Sequence, residues 1–496
     1  MKNYLRPTPV FCTAAGAVIG FYFLHSLMFA SLLVFMSTAI ILLMLVFSFS
    51  YFCRYAARID YRFKLGRRLK LVSICVFVFV CGLAIGISAA NAGLSRQKFA
   101  VLPEKITAIE GVLLEDPRII SGGNVMALVS LRKCASISPN SSVRATSSGR
   151  ITVFFPAQSA EKLREFGRGA SVYSEGMLRP SPTAEGEWTF SANTIFVVKP
   201  APPVERMRTG IRIKLIEKAD SKEWGALALA LLLGIKDNLD SDLSDMYRKA
   251  GCSYILALSG MHLAVLAAII AFLLKPLLGL KPASIAGAVI ICLYCFLTGP
   301  MPSLNRAALM YILGVVAILG FLPKQPMAIL SLSFLIQIII TPAAGHTISF
   351  ILSYAALAGI FVIGQPFYEL LAGKIPDFLL QPLSASCGAF LATAGITGFL
   401  FGYIAPIGIL VGLVLVPLTT LYMILSLVWL VLDFGWLLSP LYRVKEWLVG
   451  LAAKVPAISA DKPVVILVVS IIAIVLIIVL ENKFTKDRLK PEPFLW

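Results

Sequence analysis

A bilayer's hydrocarbon offers no water to unpaired N–H and C=O groups, so backbone crosses it only as helix or closed barrel. Repeated apolar runs of roughly 17 to 25 residues, enough for a helix to cross about 30 Å of hydrocarbon, therefore dictate what this chain can fold into. Such runs fall at 10–24, 29–52, 71–92, 252–274, 283–299, 304–321, 326–341, 347–365, 380–402, 406–433 and 464–480, with weaker ones at 224–235 and 441–456. Of 496 residues, 58% are hydrophobic and only 14% charged, more apolar side chain than a soluble domain of this length can bury. The chain reads as a polytopic α-helical membrane protein.

The net charge of +18 invites a nucleic-acid reading, so its distribution matters. Positions 1–93 hold nine basic residues against one acid, 94–206 fourteen against ten, and 207–496 twenty-one against fifteen. Much of the excess is one short loop, Arg54, Arg58, Arg62, Lys64, Arg67, Arg68 and Lys70, which cytoplasmic retention of positive loops explains without DNA. With that loop inside, the amino terminus is cytoplasmic and residue 94 emerges outside. Lys483, Lys486, Arg488 and Lys490 place the carboxyl terminus inside. Counting every strong run after 252 as a crossing would leave the tail outside, so one run is broken or re-entrant, or a weak one crosses. The first run has no small-x-small site before a polar region and reads as an anchor, not a cleaved leader. The expected units are helices at 1–93, an extracytoplasmic domain at 94–206, an amphipathic interfacial helix at 207–223, a polytopic domain at 224–482 and a basic tail at 483–496.

Residues 94–206 change character. Short β-rich runs at 106–114, 125–131, 151–155, 170–178 and 188–198 are separated by Gly, Ser, Asn and Pro. Five strands at this spacing predict an inserted small β-barrel of OB-like type, a fold whose open face commonly binds oligonucleotides or sugars. Candidate DNA-binding residues are Arg118, Arg132, Lys133, Arg150 and Trp188, with Arg179, Phe154, Phe155, Tyr173 and Phe190 as further cations and stacking rings. The bland alternative is that the apolar residues fill the barrel. Cys134 is the only cysteine between 94 and 206, so that domain makes no internal disulfide. Cys292 and Cys295 form a C-x-x-C inside an apolar run without a second pair, which suits helix packing better than metal or redox chemistry.

Polar side chains inside apolar runs are costly and mark cavities or helix contacts. Ser259, Gly260 and His262 are one such group, with serine and histidine three apart; the flanking sequence is not a nucleophile elbow. Helix approach or a helix break, with His262 bonded to a neighbour, is the favoured reading over a serine hydrolase. Arg306, with Ser303 and Asn305 beside it, lies a few residues into another run and is either a snorkelling anchor or a guanidinium facing a cavity. Asp237, Asp240, Asp242 and Asp245 do not match a calcium loop and suit a capped helix start. Three scattered histidines and the absence of a phosphate-binding G-x-x-x-x-G-K-[ST] predict no metal, no cofactor and no nucleotide hydrolysis by this chain.

At these residues the sequence resembles the ComEC family of bacterial DNA-uptake channel proteins. The carrying elements are Ala230–Gly234, Gly251–His262 (GCSYILALSGMH), Gly299 with Pro302–Met310 (PSLNRAALM), Ile351–Ala356 (ILSYAA) and Ala392–Pro417, which keeps Thr393, Phe401, Gly402 and Pro417. Ile351 and Gly412 stand where the family commonly has glutamine and asparagine. The resemblance implies an inner-membrane channel for single-stranded DNA in natural transformation, with Ser259, Gly260, His262, Ser303, Asn305 and Arg306 lining the route and no catalytic residue. It also implies a separate DNA receptor, nuclease and cytoplasmic ATPase as partners beside membrane lipid, because the metallo-β-lactamase-like domain of many members is not expected here. A transporter of another polyanionic polymer or lipid, and an intramembrane serine hydrolase, are the alternatives.

Overall fold

The computed structural model describes residues 9–28, 77–90 and 97–459, apart from short gaps at 121–122, 139–140, 160–162, 164–165, 182–186, 238, 323–324 and 434. The expected run 29–52, the basic loop 54–70, most of the start of 71–92, the run 464–480 and the tail lie outside the described residues.

Helices α1 (Pro9–Met28) and α2 (Phe77–Ala90) pack through two pairs of glycines four apart, Gly16/Gly20 and Gly82/Gly86. A Cβ at Gly16 would stand 2.2 Å from the Phe79 carbonyl oxygen, and one at Gly82 2.0 Å from that of Thr13. Small residues at this spacing let backbones touch in a membrane, where packing rather than hydrophobicity drives association. Gly16 meets Phe79 and Leu83, and Gly86 meets Ala17, so the two helices run in the same direction.

The barrel follows from strict alternation. In β1 (Ala108–Leu113), β3 (Val125–Ser138), β5 (Arg150–Phe155), β6 (Ser171–Pro180) and β7 (Trp188–Ala192), alternate residues such as Val125, Ala127, Val129, Ile151, Val153, Phe155 and Phe190 turn inward. The strand order is β1-β3-β5-β7-β6, closed by β6 pairing with β1, and every pairing is antiparallel except β5 with β7. This is the five-stranded closed barrel of OB type. Short β2 (Arg118–Ile119) and β4 (Ser141–Thr146) pair with β3, and β8 (Phe196–Lys199) pairs with β6. Phe155 and Phe190, proposed above as stacking platforms, instead fill the interior, 1% and 0% exposed. Period two makes this unavoidable, since adjacent Phe154 and Phe155 must face opposite sides of the sheet.

Pro202 and Pro203 open α3 (Pro203–Asp220), which leads to the short apolar α4 (Gly225–Leu233) and the polar α5 (Ser241–Lys249). Asp240 caps α5, its carboxylate accepting from the Asp242 N–H at 3.0 Å. After the one-turn α6 (Ser253–Leu256) come α7 (Gly260–Leu278), α8 (Leu280–Thr298), α9 (Pro302–Leu319), α10 (Pro326–Ile340), α11 (Ile348–Leu371), α12 (Asp377–Phe401), α13 (Ile407–Leu432) and α14 (Leu438–Ala452). Among the described residues six of these, α7, α8, α9, α11, α12 and α13, are long and apolar enough to cross a membrane. At about 1.5 Å per residue, the nine-residue α4 falls well short of a bilayer. Helix α11 has a π-helical turn at Ile360–Gly364, seated against Gly388 and Ser384 of α12.

Candidate functional site

The apolar run 252–274 is broken in its polar motif. Gly251 adopts φ +70, α6 lasts one turn, Ala257 and Ser259 are extended, and α7 begins at Gly260. Ser259 stands at the N-cap. Its N–H donates to Nδ1 of His262 at 3.2 Å, and its hydroxyl lies 3.1 Å from the same nitrogen. The imidazole thus serves the purpose that glutamate or glutamine serves three residues into many helices, satisfying a backbone donor that the helix start leaves free. A nitrogen already engaged by backbone is a poor general base for the neighbouring hydroxyl, so the contact reads as a cap. His262 is buried and its Nε2 has no hydrogen-bond partner.

Arg306 enters from α9, one turn after Pro302, and is 4% exposed. Its Nη2 donates to Ser303 Oγ at 3.3 Å and its guanidinium lies 5.2 Å from the Tyr354 ring centroid. Ser303 Oγ is 3.3 Å from Ser353 Oγ of α11, and Tyr354 OH donates to Gln337 Oε1 of α10 at 3.0 Å and lies 3.2 Å from Ser333 Oγ. Three helices therefore build a polar seam under one cation. Nε and Nη1 of Arg306, both buried, meet no acceptor. Burying a charge with free donors is costly unless an anion or water completes it.

The break lies against the turn of α9 that carries Arg306: a Cβ at Gly260 would lie 3.5 Å from that of Ala307. There, α7, α9 and the start of α10 enclose a cleft of about 310 Å³, lined by apolar groups including Gly260, Leu263, Ala307, Met310 and Tyr311. Of the residues singled out from the sequence, only Gly260 lines this cleft; Ser259 and Ser303 are half-buried, His262 and Arg306 are buried outside its lining, and Asn305 is exposed. Tyr354, Gln337, Ser333 and Ser353 were not picked out, although two polar residues four apart in 326–341 were a visible signal.

The barrel is fastened to these helices at one end. Asp116, in the loop after β1, accepts from Nη1 and Nη2 of Arg208 at 2.9 and 2.5 Å, with Arg212 Nε 3.5 Å away. Arg208 Nε also donates to the Phe296 carbonyl at 2.7 Å, and Arg212 Nη1 to those of Leu297 and Thr298 at 3.0 and 3.2 Å. These carbonyls at the end of α8 need donors that the helix cannot give. Glu205 adds a carboxylate to Arg208 and pairs with Arg168, while the Ile119 N–H reaches Asp237 at 3.4 Å. Burial pushes the Asp116 carboxyl up, but the Arg208 hydrogen bonds and the charges of Arg212 and Arg208 outweigh it and hold the group below the usual carboxylate range.

The register separates the five candidate barrel residues. Arg118, paired with Glu115 at 2.8 Å, sits opposite Met126 at the fastened end. Ser130 pairs with Arg150 at the far end, where exposed Arg132 and Lys133 continue β3, Lys133 lying 3.7 Å from Glu110. Gln97 joins Arg150 and Trp188 there, donating to both carbonyls at 2.8 and 2.9 Å and accepting from the Trp188 N–H at 2.8 Å. Phe154 lies outside beside Met126, and Tyr173 packs on Phe196 at 6.3 Å.

Two curated proteins are similar to parts of this chain in sequence. An uncharacterized protein of Aquifex aeolicus is 26% identical over 235 residues, covering 47% of this chain and 54% of that protein. ComE operon protein 3 of Bacillus subtilis is 29% identical over 144 residues, covering 27% of this chain and 18% of that protein. The chain thus spans about half, or less, of the curated relatives it matches. Residues 231–484, from the end of α4 past α14, match the competence protein family. The chain belongs to that family, the ComEC family that its motifs resemble.

Proposed function

We propose that this protein is the plasma-membrane conduit through which single-stranded DNA enters the cytoplasm during natural transformation. The observation that carries the reading is Arg306, a membrane-buried guanidinium with two free donors beside the break that opens α7. A phosphodiester is the anion that membership in a competence family brings to mind, and planar guanidinium suits it. A strand crosses by weak repeated contacts, not by one tight site, so a cation left half-satisfied by the protein is what conduction needs.

In this reading the barrel receives the strand outside, on the end away from its fastening, where Arg132, Lys133, Arg150 and Trp188 gather. Ser259 and His262 hold the start of α7 in place, and Gly260, Ser303 and Asn305 flank Arg306. Residues 94–206 form the extracytoplasmic unit, 207–223 the interfacial link and 224–482 the conducting unit, with both termini inside. A DNA receptor, a nuclease and a motor are the partners this reading calls for. The test is internalisation of labelled DNA by a deletion strain carrying Arg306→Gln or the wild type at equal protein level. Reduced uptake with unchanged surface binding is expected; equal uptake removes Arg306 from the route.

A further inference from the structure

The apolar cleft of about 310 Å³ beside the α7 break has no part in strand passage as proposed above, since its lining offers a phosphate nothing to bind. It follows α7 for two turns, from Gly260 past Leu263 and Ala264 to Ala267, with Met310 of α9 and Ile329 of α10 on its other sides. Among the lining residues only Tyr311 carries a polar side-chain atom, and that hydroxyl stands where a Cβ at Gly287 of α8 would be. A buried water needs about two to four polar partners, and these side chains supply none.

Small residues serve two ends in this protein. Gly16, Gly20, Gly82 and Gly86 bring the backbones of α1 and α2 into contact. On α7, Gly260, Ala264 and Ala267 recur at one-turn spacing, yet a Cβ at Gly260 would come no closer than 3.5 Å to Ala307, and the space between α7 and α9 stays open. Both helices are long and apolar enough to cross a membrane, so hydrocarbon surrounds them. Ala264 is exposed, as are Ala268 and Phe272 one and two turns further along the same face. The mouth of the cleft is therefore continuous with the surface that α7 turns to lipid.

We propose that this cleft takes one acyl chain of a membrane phospholipid, which wedges between the start of α7 and α9 and holds the break away from the turn that carries Arg306. An apolar cavity of about 150 Å³ admits benzene, so one about twice as large admits a run of methylenes. The gain is packing: in hydrocarbon no hydrophobic force acts between apolar partners, and a wall without partner atoms forfeits van der Waals attraction that a chain restores. The site rests on the membrane setting alone and needs no strand, so its failure and a failure at Arg306 are separate results.

The purified full chain, in a sterol-based detergent with no flexible tail to compete, is titrated with phosphatidylcholine bearing a photoactivatable diazirine on one acyl chain. Labelled positions are read by mass spectrometry after illumination. Labelling at Leu263, Met310 and Ile329 is expected to rise and saturate, while Phe272 and Leu277, exposed on the outer surface of α7, label without saturating. Ala267→Phe sets a ring into the cleft instead of into packed core. It is expected to keep the melting temperature of the wild type and to label the lining about 10-fold less, because the ring takes the place of many chain contacts. If that variant does not fold, saturation in the wild type decides. A wild-type lining that labels no more readily than Phe272 and Leu277 and never saturates, as it would if another part of this chain covered the cleft, overturns the site. So does an Ala267→Phe chain labelled there as fully as the wild type.

Discussion

Arg208 and Arg306 are both buried, 0% and 4% exposed, yet the protein treats them in opposite ways. Around Arg208 stand two carboxylates, Asp116 and Glu205, and the carbonyls of Phe296 and Leu297. Arg306 has one serine hydroxyl and the face of a tyrosine. Near-saturation makes the first a fastening, since each guanidinium nitrogen already has an acceptor and exchange gains little. The second keeps binding capacity that nothing in the described residues uses. The same side chain is structural where the chain supplies its anions and available where it does not.

The contrast breaks most readily at the fastening. Removing one partner of a buried pair leaves the other charge uncompensated and costs about 3–5 kcal/mol, so Asp116→Ala should lower the melting temperature and open the barrel junction to protease. A chain of unchanged stability would place the fastening elsewhere. Next in size, Gly82→Leu drives a side chain into backbone already within 2.0 Å of where its Cβ would stand, and overpacking of this kind costs about 1–3 kcal/mol. Its readout is loss of disulfide crosslinking between cysteines introduced on α1 and α2, and full crosslinking would show that the glycines are not needed for the approach.

Acid tests the same fastening more gently. Asp116 has a depressed pKa in the folded protein, so its contribution is complete above about pH 4, where a free aspartate titrates, and is lost as pH falls through the lower folded value. Proteolysis at the junction should rise across that window in the wild type and lose its pH dependence in Asp116→Asn; an identical profile in both would remove Asp116 as the titrating group. Smallest in stability is Tyr354→Phe, which takes one hydrogen bond from Gln337 at a cost of about 1 kcal/mol. It should still reduce DNA uptake by letting Arg306 shift, and uptake equal to wild type at equal protein level would separate the seam from the site.

How far the sequence alone carries depends on the range of the interaction. Run lengths marked the membrane helices because hydrocarbon thickness is a local constraint on composition, and strand spacing with turn residues marked the barrel. Barrel closure through β1 and β6 was not legible, because pairing Ala108 with Glu175 is a contact between distant positions. The Asp116–Arg208 bond is likewise 92 residues apart, and each partner alone looks like ordinary surface charge. Ser259 and Gly260 announced the helix break, since serine caps and glycine tolerates close approach; that His262 serves as the cap's return partner needed coordinates. The burial of Lys445 on α14 was readable in principle: it interrupts the stripe Leu438, Val449, Ala452 of a run judged weak because of its charges. For Phe155 and Phe190 the sequence left stacking ring and barrel filling both open, and the period of two, applied to each strand, selects filling.

The availability of Arg306 is tested most directly by the salt dependence of oligonucleotide binding to the purified full chain. Each phosphate contact to a single strand contributes about 0.7 to the slope of log affinity against log salt. Arg306→Met should bind more weakly with a slope reduced by about that one contact, while its melting temperature stays close to the wild type. Unchanged affinity and slope would contradict the claim that its free donors serve a passing phosphate.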